Sequence, residues 1–462
     1  MPCKGLSMDT NKEPLMKRRS GWIKPLLMVA APLVVTAVGF GIGQRHFPTA
    51  DAKETYPSLK LFSDVLEMVE KNYIDEITTQ KLIENAIDGM VKGLDPHSGL
   101  LTPDELEELQ IDTRGEFSGV GIQISMKDQF VTVIAPIDDT PAHRAGVKAG
   151  DRIIKVDDVA VKDLRNAVKM IRGPRGSTVT ITVLRQVSEE PLEIEIVRDT
   201  IPLVSVRSAV LQPGYGYIRI TNFNDDTATR LAKELAVVES GDTPVKGLIL
   251  DLRDNPGGLL DQSVKVADLF LEEGVIVSMK GRLPQSEKEY NAKKQSQDRH
   301  YPMVVLINGG SASASEIVAG ALKDQKRALI LGTASFGKGS VQNVANLRDG
   351  YGLKLTIARY YTPNGESIQA KGIEPDIVIE PVDADTGPNP SEKTRQRLTE
   401  KDLENHLGPE DKPGKTPEKS DKKGNDDEPV SGGTLSVEKL KADNQVTRAL
   451  EILMGYNLLR HS

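Results

Sequence analysis

Apolar residues recur at three- and four-residue spacing through residues 56–113: Leu59, Phe62, Leu66, Val69 and Tyr73, then Leu82, Ala86, Ile87 and Met90. One face of a helix repeats at that interval, so the spacing predicts helices. Leu94-Asp95-Pro96-His97-Ser98-Gly99 breaks the pattern as a turn-rich connection. From Gly115 the period shortens. Runs at 121–125, 130–134, 152–156, 179–184 and 192–196 are β-rich and alternating, with helices predicted only near 141–145 and 163–171. This pattern predicts half-buried antiparallel strands forming a small domain of their own.

From Tyr215 the pattern changes again. Predominantly apolar runs at 216–220, 247–252, 303–307 and 328–331 alternate with helical stretches at 227–239, 259–270 and 316–324. Strands apolar on both faces predict a buried, largely parallel sheet. Residues 281–300 read as an exposed polar excursion. The stretch 382–434 is rich in Pro, Lys, Glu, Asp and Gly, with too few apolar side chains to offset its ordering entropy, and is expected to be disordered. Helical spacing returns through Leu440, Val446, Leu450, Leu453 and Met454, a helix suited to docking or self-association. The expected divisions are therefore 1–52, 53–114 (helical), 115–198 (β-rich), 199–381 (α/β core), 382–434 (charged linker) and 435–462 (terminal helix).

Charge and composition narrow the classes. A net charge of −8 over 462 residues argues against a bulk nucleic-acid binder. The lone Cys3 excludes an intramolecular disulfide and a cysteine-cluster metal site, and the scattered histidines lack zinc-ligand spacing. Lys17, Arg18, Arg19 and Lys24 precede an uncharged apolar run at 25–43, long enough as a helix to span most of a bilayer core. The basic flank would stay in the cytoplasm and the folded remainder would be exported. Ala50-Asp51-Ala52 offers a cleavage site, so a secretory signal competes with a retained anchor. The length of the run favours the anchor.

The candidate chemistry lies in two blocks. Ser313 follows a predicted buried strand and the Asn308-Gly309-Gly310 turn, and it precedes a helix. Taken alone, Ser313-x-x-Glu316 is an ordinary capping box. The same turn would also present a hydroxyl at a helix N-terminus, where the dipole favours developing negative charge. Lys338, flanked by Gly337 and Gly339, follows the next predicted strand, so parallel pairing would bring both residues to one sheet end. A lysine acts as a base only when neutral, which requires burial. Gln342, four residues on, offers an amide to orient the amine without charging it. Gly332-x-x-x-x-Gly337-Lys338 also matches part of a phosphate loop but lacks its final hydroxyl residue and the following helix. The glycine-rich turn at 251–258 offers Gly257 and Gly258 N–H groups, and Ala314 a third, as oxyanion donors. A plain strand-to-helix connection is the ordinary alternative.

These residues together resemble the carboxyl-terminal processing peptidases, also called tail-specific proteases. The resemblance covers roughly 59–380 and rests on Leu94–Ser98, Gly119-Val120-Gly121-Ile122, the 251–258 turn, Ser311–Glu316, Phe336–Gln342 and Thr362-Pro363-Asn364-Gly365. It implies a crotonase-like core (α+β / α/β, mostly parallel) with an inserted PDZ domain, Ser313 as nucleophile, Lys338 as general base and Gln342 as its orienter, with no metal or cofactor. In a PDZ domain Gly119, Val120, Gly121 and Ile122 would hold a peptide's terminal carboxylate and pair with its backbone. Arg172 is expected either to couple that domain to the core or, more simply, to be a solvated loop residue. His97 reads as structural, with no evident carboxylate partner. The partners implied are proteins or peptides with free C-termini, with an adaptor, a homo-oligomer and a membrane contact through the N-terminal segment also expected. The expected location is the periplasmic side of a bacterial inner membrane, anchored or released after cleavage. Two rival readings are a non-catalytic PDZ scaffold and a crotonase-like acyl-CoA enzyme.

Overall fold

The computed structural model describes residues 52–185, 190–294, 299–382, 398–408 and 435–460. The basic stretch and the 25–43 apolar run fall outside them, as does most of the predicted linker. No described helix is long and apolar enough to cross a membrane. The chain divides into two compact units, Met1–Leu82 and Ile83–Ser462. The first carries the helix Ala52–Asn72, on which Leu59, Phe62 and Met68 are exposed.

The second unit is built on a six-stranded sheet. Val206–Gln212 pairs antiparallel with Tyr215–Ile220; Gly247–Asp251, Met303–Ile307, Leu329–Gly332 and Ile377–Val378 then follow in parallel. Alternation along each strand sends side chains to two separate cores. Ile218, Leu248, Leu250, Val305 and Ile330 meet Leu231, Leu235, Val266 and Ile317 from the helices Thr227–Glu239, Leu260–Asp268 and Ala314–Asp324. Tyr217, Ile249, Val304, Leu306 and Leu331 face the other way, onto Leu440, Val446, Ala449 and Leu453. The terminal helices Val437–Ala442 and Asn444–Arg460 therefore close one whole face of the sheet.

A second sheet joins Gly99–Leu101, Gly352–Tyr361, Val275–Gly281, Lys288–Asn291 and Ser340–Asn346. Part of the predicted excursion at 281–300 is thus a paired strand. Its local polarity hid that, because only one face needs cover. The predicted small domain is present as a six-stranded sheet with the helices Pro141–Arg144 and Leu164–Ile171, closed over Val133, Val156, Ile181 and Ile196. The strands Glu116–Gly119 and Asp199–Pro202 pair antiparallel, so the chain enters and leaves this domain side by side.

The expected disorder of 382–434 needs correction at 398–408. That stretch forms a short turn, Glu400–Asp402, with Glu400 fully buried. Composition averaged over the segment concealed one anchoring carboxylate.

The terminal helix is also fastened by charge. Arg253 reaches Asp251 (2.6 Å), Asp443 (2.8 Å) and Gln445 (2.7 Å), and Tyr217 donates to Asp251 at 2.7 Å. Burial pushes the Asp251 carboxyl up, but Arg253, Arg219 and the Tyr217 hydroxyl outweigh it and hold it below the usual carboxylate range. Removing one partner of such a pair strands the other. Arg253→Met is therefore expected to lower the unfolding free energy by about 3–5 kcal/mol, read from urea denaturation. An unchanged midpoint would show the pair to be dispensable.

Candidate active site

Three adjacent parallel strands deliver three turns to one edge. Asp251 pairs with Leu306 and Ile307 with Gly332, so the chain beyond each residue emerges at the C-terminal end of the sheet. In open α/β sheets this end is where binding and catalytic groups collect. The glycine turn after Asp251, the serine turn after Ile307 and the lysine loop after Gly332 therefore meet.

Hydrogen bonds lash the turns together. The buried Asn255 carbonyl accepts from Ala312 N–H (3.0 Å) and Ser315 Oγ (2.9 Å), while its Nδ2 donates to Ile220. Ser311 Oγ donates to the Leu252 carbonyl at 2.8 Å, and Phe336 N–H donates to the Ser311 carbonyl at 3.0 Å. Gly257 allows a close approach to the serine turn. At its φ of 106°, a Cβ would lie 2.9 Å from Ser313 Cβ and 3.0 Å from the Ala314 nitrogen.

Glu316 is the central tie. It is fully buried on the first turn of its helix. Its Oε2 accepts from Ser313 N–H (2.7 Å) and Lys338 N–H (2.9 Å); its Oε1 accepts from Ser335 Oγ (2.6 Å) and Gly337 N–H (2.7 Å). The backbone nitrogens of Ser313 and Lys338 are thus one oxygen apart. Burial pushes the Glu316 carboxyl up to about 7 against the pull of its four donors. Below that pH a proton on either oxygen turns an acceptor into a donor, and the clamp weakens.

Ser313 caps its helix as expected, with Glu316 returning to its N–H at 2.7 Å, but on an unusual backbone. Its φ of 52° and ψ of −110° lie far from the extended backbone of a typical N-cap. Such a conformation costs about 1–3 kcal/mol in a non-glycine residue. A strained strand-to-helix turn of this kind is how nucleophilic serines are exposed. Lys338 is half-buried. Burial, then the neighbouring Lys354, holds its amine below the usual lysine range, while Glu400, Glu316 and Asp95 oppose them.

Not every expected contact forms. Among the described residues no hydrogen bond joins Ser313 Oγ to Lys338 Nζ. Gln342 does not bond the lysine either: its Nε2 donates to Ser340 Oγ (2.9 Å) and Thr356 Oγ1 (3.4 Å). The strand begins only at Ser340 and bulges at Val341/Gln342, so simple periodicity does not carry from Lys338 to Gln342. Gly257 N–H donates to Asn255 Oδ1 at 2.9 Å, which removes it from the oxyanion donors. Gly258 and Ala314 remain, the latter at the first helical position, where an N–H has no intrahelical acceptor.

Two further expectations change. Arg172 is not simply solvated: its guanidinium stacks over Phe117 at 5.3 Å, beside the paired strands that enter the small domain. His97 does have a carboxylate, Glu400, whose oxygens lie 2.8 and 3.0 Å from Nε2. That partner comes from the stretch expected to be disordered. In the small domain, Ile122–Lys127 is an edge strand, and Gly119-Val120-Gly121 leads into it. A Cβ on Gly121, whose φ is 82°, would lie 2.3 Å from Thr140 Cβ.

The carboxy-terminal-processing protease of Bartonella bacilliformis is 44% identical over 358 residues, covering 77% of this chain and 81% of that one. The chain belongs to the carboxy-terminal processing proteases. The model of peptidase family S41 matches residues 214–379, that of the PDZ domain 118–196, and that of the "activating protease CtpB N-terminal domain" 44–102. Carboxy-terminal processing protease CtpA of Bacillus subtilis is 34% identical over 78% of this chain and 76% of its own length. A solved structure titled photosystem II D1 C-terminal processing protease aligns at 32% identity over 70% of this chain and 92% of that one, with a TM-score of 0.41. This S41 member is a serine-type peptidase with an inserted PDZ domain, which sets aside both the scaffold and the acyl-CoA readings.

Glu316 was visible in the sequence only as a possible cap. Glu316→Gln would place an NH2 donor against two of its four donors. The expected result is a fall in kcat of about 100-fold from displacement of the lysine loop, with KM little changed. Unchanged kcat would remove Glu316 as the link between the two segments.

Proposed function

We propose that this chain is an exported Ser-Lys endopeptidase that captures the C-terminus of a partly unfolded protein in its PDZ domain and cleaves nearby. The observation that carries the reading is the shared Glu316 oxygen, which ties the Ser313 and Lys338 segments together. The strained serine backbone and the half-buried lysine, whose amine is held below the usual lysine range, support it. Neutral Lys338 takes the proton of Ser313 as Oγ attacks the scissile carbonyl carbon. Ala314 and Gly258 N–H groups hold the oxyanion. The ammonium then protonates the leaving amine, and water hydrolyses the acyl-enzyme with Lys338 again as base.

The PDZ edge strand Ile122–Lys127 and the glycines before it suit backbone pairing with an extended C-terminal peptide. The basic flank and apolar run at 17–43 support a site on the periplasmic side of a bacterial inner membrane, anchored or released. The exposed apolar residues of Ala52–Asn72 suit self-association or an adaptor.

Ser313→Ala and Lys338→Ala are each expected to abolish cleavage of an unstructured substrate while leaving PDZ peptide binding intact. Gel assays and fluorescence anisotropy read the two properties, and proteolysis surviving in Ser313→Ala would end the assignment. Because the lysine must be neutral, kcat should rise with pH, on a limb lying below the ordinary lysine range. A limb at the ordinary lysine value would contradict a buried base.

A further inference from the structure

Residues 398–408 lie beyond the 214–379 stretch matched by the S41 family, yet they bury a carboxylate beside the reactive lysine. Placing Glu400 there costs several kcal/mol unless its oxygens are well satisfied. They are. His97 Nε2 reaches both oxygens, at 2.8 and 3.0 Å, and Gln369 Nε2 donates to Oε1 at 2.8 Å. The turn is locally braced by Thr399, whose N–H and Oγ1 both donate to Asp402.

These bonds lead to both sides of Lys338. Glu400 N–H donates to the Phe336 carbonyl at 3.0 Å. Gln369, held by Glu400 through its amide nitrogen, accepts from Gly339 N–H at 3.0 Å through Oε1. The His97 backbone N–H donates to Asp95, which also accepts from Thr356 Oγ1 (3.0 Å), the hydroxyl that Gln342 approaches. Glu316 thus holds the N–H groups of Gly337 and Lys338, while Glu400 holds Phe336 and Gly339 from outside that pair.

We propose that Glu400 is a positioning residue for the base-bearing loop, supplied by a segment outside the matched peptidase core. It acts through Gln369, His97 and the Phe336 carbonyl and touches no reacting atom. The inference rests on Lys338 being the base. The charged groups facing the lysine are Lys354, which favours the neutral amine, and Glu400, Glu316 and Asp95, which favour the ammonium. Removing the Glu400 charge should therefore ease deprotonation even as the loop loosens.

The test measures kcat and KM against pH for the full chain on an unstructured peptide, alongside thermal melts. Glu400→Ala is expected to lower kcat about 10- to 100-fold, with KM nearly unchanged and the pH limb moved downward. Glu400→Gln, which keeps an acceptor without charge, is expected to recover most of kcat yet retain the displaced limb. A lowered melting temperature with kcat and limb unmoved in both variants would overturn the proposal, leaving Glu400 a structural anchor. Raised kcat in Glu400→Ala would overturn it as well, making the segment an inhibitory strap. Lys338→Ala separates the two readings. Cleavage surviving that change would sink the base assignment and this inference with it, whereas lost cleavage beside unmoved Glu400 variants would sink this inference alone.

Discussion

A carboxylate with no cation bonded to it among the described residues, Glu316, holds the serine and lysine segments in register. One of its four donors comes from the helix start after Met303–Ile307, and the other three, the Ser335 hydroxyl among them, come from the loop after Leu329–Gly332. Parallel pairing brings those ends to one edge but leaves the turns free to diverge. The carboxylate removes that freedom because each oxygen accepts two short bonds, and moving either segment leaves a buried donor unmet, at a cost of about 1–3 kcal/mol. The strained backbone at Ser313 persists because its surroundings over-determine it.

Glu316 has a counterpart at the adjoining strand, and the contrast between them is informative. Asp251 is equally buried but sits against two guanidinium groups, and its proton affinity falls below the ordinary range. Glu316 is satisfied by hydrogen-bond donors alone, and burial prevails, raising its affinity. One carboxylate is a permanent anion that fastens the terminal helix to the sheet. The other, its carboxyl pushed up to about 7 by burial, lies between the serine and lysine segments.

Much of this was legible in the chain. The period changes at Gly115 and Tyr215 locate the small domain and the core, because burial on one face or two leaves opposite marks on a strand. Ser313, Lys338 and the glycine turn each had an ordinary local explanation and stood out only in combination, each following a predicted buried strand. What remained hidden depended on distance. His97 and Glu400 are remote in sequence, and nothing near either residue announces a partner. Gln342 was misjudged because a bulge resets the strand alternation, and Gly257 because a side chain two residues earlier takes its N–H. The 398–408 stretch was lost in an average, since one buried glutamate among solvated neighbours barely changes composition.

The ribbon formed by Glu116–Gly119 and Asp199–Pro202 has a consequence of its own. A module whose two ends leave side by side can be exchanged without re-routing the chain. Any domain with adjacent termini fits the same socket. Replacing the inserted domain would thus leave the strand order of the core sheet as it is.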